Sequence, residues 1–160
     1  TQGVSSAASD VYKRQAHGRG ALAFEQALRS LPSHVKPPSH QFIPPLSQTK
    51  FDQLLKSSDL NFVRGEDSLV RALWAGKAFV WQIYPQDDGA HRLKLNAFLD
   101  WLQPPDSLRR FHLVWNGLSQ EPLPEVDLPA WQACAMAAHA RLMQQIDLVS
   151  QLLQFVEEKR

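Results

Sequence analysis

Residues 58–77, SDLNFVRGEDSLVRALWAGK, decide the fold, because an apolar run, a glycine turn and an amphipathic helix follow one another without interruption. The run from Leu60 to Val63 is too short for a helix and is flanked by turn residues, so it predicts a buried parallel strand. A helix then begins near Glu66 and ends at Gly76, since glycine commonly follows the last residue of a helix. A strand that leads directly into a helix N-terminus is one way in which α/β proteins build a phosphate site.

The sequence after this stretch completes a βαβ unit and then turns helical. Residues 78–84 predict the next strand, joined to the first by a right-handed crossover. Residues 93–102 predict a helix, whereas residues 110–115 fit either a last strand or an irregular extension. From Pro129 onward the spacing is helical, and it fits two helices broken near Ala138 as well as one long helix.

The sequence before this stretch predicts helices on both sides of a proline-rich segment. Apolar positions recur at helical spacing over residues 21–31, and residues 51–55 indicate a short second helix. The five prolines between residues 32 and 45 favour an extended loop. The whole pattern is that of an α/β protein: a Rossmann-like parallel sheet with flanking helices and a helical C-terminus.

Composition limits the possible functions. With 160 residues, of which 44% are hydrophobic and 21% charged, the chain is long enough for one domain with a real core. The net charge of +1 comes from scattered basic residues, so no nucleic-acid partner is expected. The single cysteine, Cys134, allows no internal disulfide, and no apolar run approaches the roughly 18 residues of a membrane span. A reducing cytoplasm is the simplest location, without a membrane partner.

The first fifteen residues differ from the rest. Residues 1–15 are polar, without periodicity, and similar to translated adaptor sequence, so we expect a non-native or disordered tail. Residues 16–160 then form one ligand-binding domain. We expect that domain to be incomplete at its N-terminal edge, and the chain to begin inside a larger protein.

The turn at residues 64–68 is the main candidate site. Gly65 lets a ligand approach the backbone, and the amides of Glu66, Asp67 and Ser68 lie in the first helical turn, where phosphate oxygens bind. Arg64 adds a rigid fork of donors suited to a diphosphate. A diphosphate repels the Glu66 carboxylate, which is better placed to accept hydrogen bonds from sugar hydroxyls. Ordinary helix-dipole complements explain the same acidic residues, and spacing alone leaves both interpretations open.

Three further residues are pocket candidates. Phe42 lies among prolines, where its ring either stacks on a base or packs in the core. Tyr84 and Gln86 follow a predicted strand at its carboxyl end, where open parallel sheets bind ligands.

Other chemistry has less support. The turn matches neither the Walker phosphate loop nor the dinucleotide fingerprint. The histidines have no paired metal-ligand spacing and most are expected in loops or on the surface, so neither a metal nor a cofactor is expected. Arg71 is expected to pair with Asp67 on its own helix. Four aromatic residues are expected in the core: Trp74, Phe79, Trp81 and Trp101.

Longer segments resemble the signature of a known family. Residues 59–68, 70–72, 74–77 and 79–86, followed by His91 and residues 94–95, are similar to the EarP family of bacterial protein-arginine rhamnosyltransferases, which modify elongation factor P. The resemblance extends over residues 21–160. It departs at Leu69, Leu73 and Ala78, where the family has an aromatic residue, a polar residue and proline, and none of these positions belongs to the proposed ligand groups.

The resemblance implies a GT-B glycosyltransferase, with two Rossmann-like domains facing across a cleft and this chain as most of the C-terminal, donor-binding one. The donor implied is dTDP-β-L-rhamnose, transferred with inversion to an arginine of elongation factor P. By the resemblance, Arg64 and the amides of Glu66 to Ser68 hold the diphosphate, Glu66 contacts the donor in a supporting catalytic role, Phe42 stacks near thymine, and Tyr84 and Gln86 line the pocket.

The resemblance also limits what this chain can do. The family's catalytic aspartates belong to the N-terminal domain, so we expect this chain to lack transferase activity while still binding dTDP weakly. Two alternatives stay open: a nucleotide-binding or protein-interaction module of the same fold without chemistry, and a different GT-B transferase that prefers UDP.

Overall fold

The computed structural model of the chain describes residues 12–16, 19–87 and 89–159. The chain divides into two units, Thr1–Lys50 and Phe51–Arg160. The strands and helices, in chain order, are β1 (Tyr12–Ala16), α1 (Arg19–Arg29), β2 (Ser39–Ile43), α2 (Gln48–Ser57), β3 (Leu60–Arg64), α3 (Glu66–Ala75), β4 (Ala78–Gln82), α4 (Ala90–Leu102), α5 (Asp106–Trp115), α6 (Leu128–Met143) and α7 (Leu148–Glu158).

The first unit contains one parallel strand pair. β1 and β2 pair in register from Tyr12 opposite Ser39 to Ala16 opposite Ile43, with α1 as the crossover. The segment predicted as an extended loop is extended, but its centre is a strand. Prolines stand before Ser39 and after Ile43, so every residue of β2 keeps the N–H group that pairing requires.

The proposed tail lies partly outside the described residues. Nothing is described for residues 1–11, whereas Tyr12 to Gln15 belong to β1. The proposed boundary at residue 15 therefore falls inside a strand. The non-native origin of the tail stays a prediction.

The second unit contains the predicted βαβ arrangement. β3 and β4 pair in parallel from Leu60 opposite Ala78 to Arg64 opposite Gln82, and α3 connects them. Gly76 ends α3 in the left-handed conformation, with φ of 64°, and its N–H donates to the carbonyl of Leu73 at 3.2 Å. The fold class and this helix stop are confirmed.

β4 is the centre of the core, because its first four residues are all buried. Helices α4, α5 and α6 pack their apolar faces around it; the fully buried large side chains include Phe79, Trp81, Leu95, Leu99, Leu102 and Trp131. Trp101 packs partly buried against this core. The prediction was wrong for Trp74, which is 48% exposed. The buried face of α3 carries Leu69, Ala72 and Leu73. Trp74 follows Leu73 about 100° further round the helix and therefore lies outside that face.

Residues 110–115 are helical, so neither interpretation offered by the sequence was right. Leu108, Phe111 and His112 meet at helical spacing and are buried, and this face fixes α5 against β4. Side chains of α5 and of the residue that follows it also complete the hydrogen bonding of β4 and of the residue after the strand. His112 Nε2 accepts from the Trp81 N–H at 3.1 Å, and Asn116 Oδ1 accepts from the Ile83 N–H at 2.9 Å. They supply partners that a neighbouring strand would otherwise provide.

His112 is a fully buried histidine, contrary to the expectation of surface positions. Its Nδ1 is 2.9 Å from the Leu108 carbonyl, which assigns the proton to Nδ1 and leaves Nε2 as the acceptor for Trp81. Burial lowers the pKa of His112 to about 4. The ring is therefore neutral in the folded protein near neutral pH.

The C-terminal region forms two helices, one of the two arrangements that the sequence left open. The break lies between Met143 and Leu148 rather than near Ala138, which is buried inside α6. Asp147 caps α7 by accepting from the Ser150 N–H at 3.0 Å. In the described part of the chain, no helix has both the length and the apolar character needed to cross a membrane.

The turn between β3 and α3 requires glycine for two reasons. Gly65 has φ of 65° and ψ of 157°, a conformation that is essentially restricted to glycine. A Cβ at this position would lie 3.2 Å from Tyr84 Cε2. Gly65 therefore lets the chain turn and lets the Tyr84 ring approach the turn.

The pKa of His112 predicts acid sensitivity. A group whose pKa is lower in the folded state contributes stability above its unfolded pKa, here 6.5, and that contribution is lost as the pH falls toward the folded value of about 4. We expect the free energy of unfolding to fall by about 3 kcal/mol over this range because of His112. Urea denaturation of the wild type and of His112→Gln, which keeps an acceptor for Trp81 but does not titrate, measures the difference. Equal pH dependence in both proteins would contradict the assignment.

The Gly65 turn predicts an unequal cost for two glycine substitutions. Gly117 has φ of 70°, but a Cβ added there would have no neighbouring atom within 4 Å, so Gly117→Ala meets backbone strain alone. Gly65→Ala meets strain and the Tyr84 ring, so we expect its free energy of unfolding to fall further, by about 1 kcal/mol beyond that of Gly117→Ala. Chemical denaturation of both variants tests this. Equal losses of stability would show that the Tyr84 ring moves aside at no cost in free energy.

Candidate functional site

The candidate site lies where β3 and β4 end at the same edge. Parallel pairing places Arg64 opposite Gln82, and Tyr84 follows two residues later. The Arg64 guanidinium carbon is 5.1 Å from the centre of the Tyr84 ring, within the range of a cation–π contact. Arg64 Nε is buried and has no hydrogen-bond partner among the described residues. The contact with Tyr84 thus holds a cationic side chain beside the turn while one of its donors stays available.

The N-terminus of α3 starts immediately after this arginine. Gly65 is the N-cap residue and has no side chain that can cap the first turn. The first backbone hydrogen bond across this end runs from the Leu69 N–H to the Gly65 carbonyl at 3.1 Å. Glu66, Asp67 and Ser68 therefore present first-turn amides next to Arg64, and a helix N-terminus with a neighbouring cation attracts anions.

The Glu66 carboxylate pairs with a lysine of α4. Lys94 Nζ of α4 is 2.6 Å from Glu66 Oε1, and both side chains are about half exposed. The hydrogen bond from Lys94, followed by one from the residue's own backbone N–H, lowers the pKa of the Glu66 carboxyl. Glu66 is thus an ionised acceptor at the rim of the turn.

Lys94 is the neighbour whose role sequence reasoning missed. It lies 28 residues from Glu66, so no local spacing connects the two. The one available signal was topological, because α4 follows the strand that ends beside Arg64.

Arg71 does not make the ion pair predicted from its own helix. Its Nη1 donates to both carboxylate oxygens of Asp52 in α2, at 2.8 and 3.0 Å. A carboxylate on another helix can present both of its oxygens to one guanidinium. A carboxylate one turn away on the same helix is less well oriented for such a contact. Arg71 therefore joins α2 to α3, and Asp67 stays exposed at the start of α3.

Tyr84 and Gln86 lie in the exposed segment after β4. The Gln86 N–H donates to His91 Nδ1 at 3.1 Å, and its carbonyl accepts from the Gly89 N–H at 3.0 Å. These bonds fold the segment back onto the start of α4. Tyr84 contacts Arg64 and Gly65, whereas no contact to the turn is described for the Gln86 side chain.

Phe42 belongs to the first unit and lies on β2. Its ring is 5.9 Å from Phe24 and 5.7 Å from His40, and it is 39% exposed. Phe42 is thus neither a core residue nor isolated. The residue stays partly accessible within a small aromatic cluster.

The described arrangement can bind an anion with protein groups alone. Arg64, three first-turn amides and Tyr84 converge at one strand end, with Glu66 and Lys94 at the rim. Among the described residues, no three His, Cys, Asp or Glu side chains are grouped as metal ligands would be. The chemistry that the geometry supports is binding of a phosphate or diphosphate beside hydrogen-bond acceptors for hydroxyl groups.

Comparison with known proteins places this geometry in one family. The sequence model described as "Elongation-Factor P (EF-P) rhamnosyltransferase EarP" matches residues 14–157. The chain is 42% identical over 126 residues to a protein-arginine rhamnosyltransferase of Pseudomonas aeruginosa, covering 72% of this chain and 33% of that protein. It is 59% identical over 59 residues to one from Pseudomonas putida, covering 37% of this chain and 16% of that protein.

A solved structure shows the same fold. It is described as the structural basis for EarP-mediated arginine glycosylation of translation elongation factor EF-P. The match has a TM-score of 0.66 at 29% sequence identity and covers 97% of this chain and 54% of the other. The chain thus spans about a third of the Pseudomonas aeruginosa relative and about half of the chain in the solved structure.

The family match extends over nearly the whole sequence, begins within β1, and includes the pair of β3 with β4 and the turn at Arg64. The chain therefore belongs to the EarP family of elongation factor P rhamnosyltransferases.

Proposed function

We propose that this chain is the donor-binding part of an inverting glycosyltransferase that transfers L-rhamnose from dTDP-β-L-rhamnose to an arginine of elongation factor P. The observation that carries the proposal is the meeting of Arg64 with the uncapped N-terminus of α3. This pair offers a fixed cation and oriented backbone donors to one anion. The family match and the P. aeruginosa relative's name support rhamnosyl transfer to arginine as the activity of the longer protein.

The diphosphate is the group that this turn suits. As the bond to the sugar breaks, negative charge develops on the diphosphate leaving group. We assign the stabilisation of that charge to Arg64 and the amides of Glu66 to Ser68. Tyr84 supports the step indirectly, because its ring holds the Arg64 guanidinium in place.

The donor's neutral groups need different partners. Glu66 is ionised and exposed, so its carboxylate accepts hydrogen bonds from hydroxyl groups of the donor. Phe42 is assigned to stacking on thymine, and its partial exposure is compatible with that contact. Gln86 is assigned to the pocket by the family resemblance, and its exposed position leaves it available for that contact.

The acceptor arginine requires groups beyond this site. A guanidinium has a pKa above 12, so it is a poor nucleophile until a carboxylate orients it and takes its proton. We assign that role to aspartates of the N-terminal domain of the longer protein. The reaction would take place in the cytoplasm, where a translation factor is available as the acceptor.

Removal of Arg64 should weaken nucleotide binding. Isothermal titration with dTDP should give at least a tenfold higher dissociation constant for Arg64→Ala than for the wild type, since a charge-assisted contact worth about 1.5 kcal/mol is lost. Arg110→Ala is the matched control, because Arg110 is an exposed arginine of α5 paired with Glu121 at 2.9 Å. Unchanged affinity in folded Arg64→Ala would refute the role of this arginine.

The same titration separates the alternatives. Undetectable dTDP binding by the folded wild-type chain up to millimolar concentration would favour a protein-interaction module and reject donor binding. A lower dissociation constant for UDP than for dTDP would instead identify a different GT-B transferase.

The 160-residue chain should lack transferase activity, because the groups that deprotonate the acceptor are assigned to another domain. Incubation with elongation factor P and dTDP-rhamnose, followed by mass spectrometry of the acceptor, should show no added rhamnose. A full-length family member run in parallel confirms that the substrates are competent. Rhamnosylation by this chain alone would place an acceptor-activating base within it.

A further inference from the structure

The ion pair between Glu66 and Lys94 connects the start of α3 to α4. The two charged atoms are 2.6 Å apart, and both side chains are about half exposed. An exposed pair of this kind contributes little to folding stability, because solvent screens it and two flexible side chains lose freedom. The ion pair instead affects geometry, because it fixes the direction of the Glu66 carboxylate beside the proposed diphosphate site.

The negative charge of Glu66 is unfavourable for binding an anion at that site. It is the first residue of α3, so its carboxylate reaches the backbone donors of its own helix end, and it accepts a hydrogen bond from its own N–H. A carboxylate at a helix N-terminus competes with any other anion for the same positive field. Without a restraint, Glu66 would both occupy donors and repel the diphosphate.

We propose that Lys94 is a positioning residue for donor binding, which holds the Glu66 carboxylate toward α4 and away from the amides of Asp67 and Ser68, which receive the diphosphate. The inference rests on the proposed function of this turn. Lys94 also neutralises the carboxylate, which reduces its repulsion of an anion bound next to it.

The arrangement gives Glu66 two distinct oxygens. Oε1 faces the Lys94 ammonium. The other oxygen remains an acceptor, as the proposed contact with donor hydroxyl groups requires. Lys94 thus allows one carboxylate to serve a neutral part of the donor while an anionic part binds one turn away.

The test is a double-mutant cycle with dTDP, which contains the diphosphate but no rhamnose and so isolates the repulsion from the contact with the sugar's hydroxyl groups. We expect Lys94→Ala to raise the dissociation constant roughly fivefold, as for one unscreened charge pair at close range. Glu66→Gln removes the repelling charge, so adding Lys94→Ala to it should have no further effect. Lys94→Arg should retain the wild-type affinity. Lys56→Ala removes an exposed lysine of α2 as the control and should change nothing.

A second readout needs no nucleotide. In Lys94→Ala, ionisation of Glu66 should shift the amide NMR signals of Asp67 and Ser68 more than in the wild type, because the freed carboxylate moves over them. These signals also show whether the variant is folded.

The outcomes are distinguishable. Equal dTDP affinity of the wild type and folded Lys94→Ala would overturn the positioning role while leaving the proposed function intact. The same would follow from a loss that persists in the Glu66→Gln background, since Lys94 would then act directly on the phosphates. Failure of the wild type to bind dTDP would reject the proposed function and this inference with it.

Discussion

The parallel register of β3 with β4 is the constraint on which the rest of the second unit depends. It brings Arg64 opposite Gln82, so both strands end at one edge and the chain continues on to Tyr84 within reach of Arg64 and Gly65. A shift of one residue would turn Arg64 to the other face of the sheet. The register therefore fixes the position of the cation, the start of α3 and the aromatic ring together.

That register is maintained by packing on both sides of β4. The strand is buried along its length by α4, α5 and α6, and its outer backbone groups are satisfied by His112 and Asn116 of α5. A neutral buried histidine is suited to this role, because it accepts from the Trp81 N–H while donating to the Leu108 carbonyl. The position of the site at the end of β4 thus depends on α5, a helix to which no contact with the ligand is assigned.

Positively and negatively charged groups lie close together at the turn. Arg64 and the α3 amides favour an anion, whereas the first two residues of α3 are acidic. Lys94 resolves this conflict for Glu66 by drawing the carboxylate toward α4. The proposed donor has both an anionic diphosphate and neutral hydroxyl groups, and a turn of mixed charge is compatible with both.

The elements whose signals are local can be predicted from the amino-acid sequence. The run at residues 60–63, the glycine at position 65 and the helix stop at Gly76 specified β3, the turn and α3, because strand propensity and positive φ act within a few residues. The long similarity to a family also identified that family, although the individual site roles remain predictions. The contacts between distant side chains depend instead on the packing of the folded chain. Burial of one face made residues 110–115 a helix, Asp52 replaced Asp67 as the partner of Arg71, and Lys94 reached Glu66 across 28 residues. Such contacts depend on how elements pack, and no local spacing encodes them.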